Sequence, residues 1–149
     1  MCKFLFLLSF LILFAGCKTA STVNRHKKSI TIPAIIKGDF KDDYDISYSV
    51  NDSLWIQHPD IMYHILAYND TAKYFIVKND AANPSEAGLY SRIDIMNFTG
   101  MEPYAWGFCL TIYDASSFEQ ARDKASADRS NPKKGCGGFP FSRMKRATP

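Results

Sequence analysis

The 149-residue chain lacks a strong charge of either sign: 18 Lys and Arg against 15 Asp and Glu leave a net charge of +3. A nucleic-acid binder normally clusters Lys and Arg on one face, so this balance argues against a nucleic-acid partner. Histidine is scarce, with three residues, and cysteine numbers only four. No apolar run reaches the roughly 20 residues that a membrane-spanning helix needs. The sequence has no Gly-x-Ser-x-Gly elbow, no His-Glu-x-x-His pair, no phosphate-binding glycine loop and no EF-hand loop. No residue is therefore assigned as catalytic or as a metal ligand, and no cofactor is implied. Aromatic residues, by contrast, make up 14% of the chain, enough for a packed core and too many for whole-chain disorder.

The apolar run that is present, residues 4–15, is about a dozen residues long and follows Lys3. Its size is that of a signal-peptide apolar region. It ends in Leu13-Phe14-Ala15-Gly16-Cys17, which resembles the lipobox of bacterial lipoproteins. The expected order is a lipoprotein signal peptide over 1–16, acylation of Cys17, a polar tether over 17–29, one β-rich domain over 30–144 and a tail over 145–149. Several acyl chains on Cys17, palmitate among them, at ~0.8 kcal/mol per buried CH2, would anchor the protein to the membrane. The basic end of the tether, His26-Lys27-Lys28, reads as solvated.

From residue 46 the chain alternates in twos. Ile46, Tyr48 and Val50 predict a half-buried strand, Asn51-Asp52-Ser53 a turn, and Leu54-Trp55-Ile56 the next strand. Residues 62–68 and 73–78 predict a hairpin around Asn69-Asp70-Thr71-Ala72. Residues 89–98 alternate again, and Trp106, Phe108, Leu110 and Ile112 predict one face of a strand over 104–113. Ahead of these, residues 30–36 read as an edge strand or lead-in, and 38–44 as a turn. Asp39, Asp42, Asp43 and Asp45 lack the EF-hand glycine and final Glu, and read as a solvated turn rather than a calcium site. One helix is expected, with Ser116 as N-cap, Glu119 at N3 and an end near Asp128. The fold class is thus α+β and β-rich: a curved antiparallel sheet or small open barrel with one helix near the C-terminus.

Of the cysteines, Cys2 belongs to the signal and Cys17 to the lipid. Cys109 and Cys136 remain, an even pair in an exported, disulfide-permissive setting. A bond between them is favoured over two free thiols. A metal site is disfavoured, because no Cys-x-x-Cys spacing exists.

Two readings compete for the aromatics. In one, Trp55, His64, Tyr68, Arg92, Asp94 and Trp106 line a ligand pocket on the concave face of the sheet. In the other, favoured one, aromatics at period two are plain core and His64 is held at the core's rim. Asp52-Ser53-Leu54 and Asp70-Thr71-Ala72 resemble a bacterial O-glycosylation motif, placing candidate glycans on Ser53 and Thr71.

Gly38-Asp39-Phe40-Lys41-Asp42-Asp43-Tyr44, Met62-Tyr63-His64-Ile65, Tyr90-Ser91-Arg92-Ile93-Asp94, Tyr104-Ala105-Trp106-Gly107-Phe108-Cys109 and Gly135-Cys136-Gly137-Gly138-Phe139-Pro140-Phe141-Ser142-Arg143-Met144 together resemble a family of uncharacterised small bacterial lipoproteins. That likeness implies the lipid anchor and the cysteine pair, and carries no activity. The expected function is a lipid-anchored protein of the bacterial cell envelope, at the outer membrane, that binds a small molecule, a glycan or a partner protein without catalysis. The alternatives are a small hydrolase using His64 with Asp94 or Cys136, and a purely structural subunit of an envelope complex.

Overall fold

The computed structural model describes residues 30–148; the expected signal peptide, Cys17 and the tether lie outside the described residues. Eight antiparallel strands run in chain order around a closed barrel. They are β1 (Gly38–Asp42), β2 (Ser47–Val50), β3 (Leu54–Gln57), β4 (Ile61–Asn69), β5 (Tyr74–Asn79), β6 (Tyr90–Asn97), β7 (Trp106–Ala115) and β8 (Ser142–Arg146). One short helix, α1 (Phe118–Asp123), follows β7. The β-rich α+β class holds, and the barrel is shut rather than open. Phe40, Lys41 and Asp42 of β1 pair with Arg146, Lys145 and Met144 of β8, which leaves no free edge to template association.

Both closing strands differ from expectation. Residues 38–42 form a strand and not a turn, because β1 is held by a neighbour on each side despite its charges. β8 carries Arg143, Lys145 and Arg146, so nothing in its sequence alternates except Met144, which points inward and is fully buried. It also runs past the domain boundary expected at 144. The lead-in before β1 is no strand: Pro33 caps a 3-10 turn at Ala34–Ile36.

An eight-stranded barrel is just wide enough for side chains to fill it, and this one is filled. Trp55 sits at the centre, edge-on to Trp106 at 5.8 Å, Phe75 at 5.9 Å and Phe108 at 5.1 Å between ring centroids. Phe40 meets Trp106 edge-on at 5.0 Å. These T-shaped contacts match positive ring edges to negative ring faces. Gly107 allows the close approach that β7 needs: a Cβ there would lie 2.8 Å from both the Phe98 ring and the Ser142 carbonyl oxygen.

Bulges decide which face several residues take, since one extra residue reverses the alternation. In β4 the register shifts between Ile65 and Ala67, so Leu66 is extra and Tyr68 turns toward the core. In β7 the partners jump from Ile112 for Arg92 to Leu110 for Ile93. Ile112 therefore leaves the Trp106–Phe108–Leu110 face on which it was expected. It packs outside the barrel with Ile76, Ala115 and Ala121, beneath α1.

The helix is capped one residue later than expected. Ser117, not Ser116, accepts from the Gln120 amide at 3.1 Å, while Gln120 Oε1 accepts from the Ser116 amide at 2.7 Å. It also stops at Asp123, well before Asp128, because the chain beyond it is drawn to Asp94 of β6. Ala127 N–H donates to that carboxylate at 3.3 Å.

Filling the barrel with aromatics has an alkaline consequence. Burial, and then Asp42, raises the Tyr48 phenol well above its ordinary value; burial raises Tyr63; burial, and then Asp70, brings Tyr68 up to about 12. The fold favours the neutral phenols, so their contribution is complete below the unfolded pKa of about 10 and drains as pH rises through the folded values. A phenolate absorbance titration should show a late component that appears together with loss of near-ultraviolet circular dichroism. A titration completed near pH 10 with the barrel intact would contradict this.

Candidate functional site

The six residues of the expected concave pocket do not converge. Trp55 and Trp106 are core, with 1% and 0% of their surfaces exposed, and Tyr68 packs against that core through Phe75 at 4.6 Å. Trp106 Nε1 has no hydrogen-bond partner among the described residues. His64 is neither core nor rim: its side chain is half exposed on the outside of β4, where Nε2 lies 2.6 Å from Asp80.

Arg92 and Asp94 occupy the outer face of β6, buried because α1 and the segment after it cover them. The Arg92 guanidinium makes a two-pronged pair with Asp94 at 2.9 and 3.0 Å, donates to the Arg122 carbonyl at 2.6 Å, and lies 3.9 Å from the Tyr74 ring centroid. Arg129 reaches Asp94 at 2.7 Å and also bonds the carbonyls of Ile95 and Lys73. Thr111 donates to the same carboxylate at 2.5 Å. A fully buried carboxylate with two guanidinium partners is a structural staple that fastens the 127–129 segment to the barrel wall. His64 with Asp94 is therefore not a dyad.

Cys136 cannot serve as a nucleophile in this state either. Cys109 and Cys136 form a disulfide with Cα atoms 5.5 Å apart, as expected from the sequence. The bond pins the irregular 131–141 segment to β7. The candidate glycan positions lie in exposed turns, Ser53 bonded to Asn51 Oδ1 and Thr71 at the β4–β5 turn.

The acidic turn is not simply solvated. Asp42 is 1% exposed and accepts from the amides of Tyr44 and Ile46, each at 2.9 Å, and from the Tyr48 hydroxyl at 3.1 Å. These bonds set the β1–β2 turn, in which Asp45 takes a left-handed φ of 62°. Asp43, next to it, accepts from the backbone amide of Arg143 at 3.0 Å and from its guanidinium at 2.9 Å. No group of three or more His, Cys, Asp or Glu suited to a metal ion occurs among the described residues.

That Asp43–Arg143 pair borders an exterior groove of about 520 Å³. Tyr44 from the β1–β2 turn, Phe98 and Met101 from the β6–β7 loop, and Pro132, Pro140 and Phe141 from the disulfide-tied segment supply its apolar walls. Lys133 and Arg143 supply positive charge. The Arg143 guanidinium also lies over the Tyr104 ring, 4.7 Å from its centroid. Tyr44 and Met101 remain 66% and 37% exposed, an aromatic and a thioether left facing water at a concavity. No family model, curated protein or solved structure matches this chain. The groove went unrecognised in the sequence because its walls come from three segments far apart in the chain, Asp43 and Arg143 being 100 residues apart.

Proposed function

We propose that this protein is a lipid-anchored, non-enzymatic protein of the bacterial cell envelope, held at the outer membrane through Cys17, that binds a small organic ligand in the exterior groove across β8. The observation that carries the binding reading is the groove itself: exposed Tyr44 and Met101 beside Phe98 and Phe141, with Lys133 and Arg143 within the same concavity. Apolar walls with a few directed charges are the usual make-up of a small-ligand site. The filled barrel interior favours the outside over a lipocalin-like cavity. Loss of the Cys136 thiol to a disulfide weighs against the hydrolase alternative.

Two measurements test this reading. Cys17→Ser should abolish metabolic labelling with fatty acid, and labelling that persists would overturn the anchor. Protein purified from its native envelope should carry a small-molecule mass that Tyr44→Ala reduces about tenfold while the melting temperature holds, since Tyr44 is mostly exposed. A co-purifying protein or glycan that survives Tyr44→Ala would move the function away from the groove.

A further inference from the structure

A second concavity, of about 480 Å³, lies next to the groove and is lined by Lys41, Asp45, Pro103, Lys145, Arg146, Ala147 and Thr148. Its chemistry is different. Lys41 and Lys145 are direct cross-strand partners where β1 closes on β8, both pointing outward because Phe40, Asp42 and Met144 point in. Like charges opposite one another weaken a strand pair. Among the described residues neither ammonium has an ion-pair partner; the Lys145 ammonium lies 5.9 Å from the Tyr104 ring centroid. Arg146 also lines the cleft, but its guanidinium is held on the face of its register partner Phe40, opposite to the two ammoniums. Its guanidinium lies 4.4 Å from the Phe40 ring centroid and donates to the carbonyls of Ala34, Ile35 and Lys37. Neutral carbonyls orient that guanidinium without cancelling its charge. The nearby acids offset part of this charge: Asp43 is paired with Arg143, Asp39 keeps its charge while accepting from Ser49, and Asp45 is the one carboxylate lining the cleft.

We infer that this cleft binds phosphate, and that the phosphate is that of anionic lipid headgroups, so that the β1–β8 seam faces the membrane. The membrane source rests on the lipid-anchor reading above. It is supported by where the chain joins the barrel: Arg146 grips residues 34–37, the stretch through which the segment from Cys17 reaches β1. Only 12 residues, 18–29, separate Cys17 from the described chain, which caps the reach at ~40 Å. The exposed Ile35 sits on the same lead-in and would meet the interface beside the cations. Phosphate placed between Lys41 and Lys145 replaces their repulsion with two attractions, and an anionic surface attracts each basic residue near it.

The test uses the full chain reconstituted into vesicles of phosphatidylcholine alone or with phosphatidylglycerol, and follows acetylation of individual lysines by peptide mapping. Lys78, on β5 at the opposite side of the strand order, is the internal reference. Lys41 and Lys145 should react about fivefold more slowly on the phosphatidylglycerol vesicles, with Lys78 unchanged and the protection lost in high salt. Equal rates on both vesicles overturn the proposal. Equal protection by inorganic phosphate added to the neutral vesicles overturns the membrane source and leaves a free phosphate as the ligand. Fatty-acid labelling of Cys17 is scored on the same preparation. Protection of Lys41 and Lys145 without acylation would therefore remove the anchor and keep the cleft.

Discussion

Asp94→Ala is expected to be the most damaging single substitution in this domain. It removes the one carboxylate shared by Arg92, Arg129, Thr111 and the Ala127 amide, and strands the Arg92 guanidinium, which is 8% exposed. Breaking a buried ion pair from one side costs about 3–5 kcal/mol, because the surviving charge keeps its desolvation penalty without its partner. Arg129 is about a third exposed and can recover water, so it adds less. For a domain of this size the loss corresponds to roughly 10–20 °C in melting temperature, and to no folded protein where the parent is marginal. Asp94→Asn keeps the shape and several acceptor contacts and should fall between the two. A thermal melt of Asp94→Ala within a few degrees of the parent would mean that the 124–129 segment is not fastened to β6 in solution.

The second large effect is loss of the disulfide. Cys136→Ala opens a loop spanning 27 residues, for which chain entropy predicts a loss of about 3.5 kcal/mol. Cys109 lies 1% exposed against Phe141 and Ala127 and would remain as a small buried thiol, so its packing is kept. The released 131–141 segment forms one wall of the groove. Ligand retention should therefore fall along with the melting temperature, whereas Tyr44→Ala lowers retention alone. Non-reducing peptide mapping of the parent must link Cys109 to Cys136; recovery of both as alkylated thiols from unreduced protein would remove the premise.

What could be read in the chain beforehand follows from local periodicity. Tyr48 and Val50, Trp55, Ile93 and Ile95, and Trp106 and Phe108 all alternate with outward residues, and each one lies in the core. The β4–β5 hairpin and the cysteine pair were legible for the same reason, since both depend on residue type and spacing alone. The candidate site was not. Its expected residues on β6, Arg92 and Asp94, were grouped with Trp55 and Trp106 on the concave face, whereas they lie on the outer face of the barrel and are buried there by α1 and the 127–129 segment.

The sequence by itself determined that the protein is β-rich, that its aromatics form the core and that a cysteine pair ties its tail. Tertiary structure alone decided that the sheet closes, that Ile112 and Tyr68 change face, and that a charged, non-alternating stretch such as Ser142–Arg146 becomes a strand. The physical reason is common to these cases. A strand's inward face is written in its own residues, but closure, bulges and exterior grooves depend on hydrogen bonds and charges supplied by neighbours up to 100 residues away, as Asp43 supplies them to Arg143.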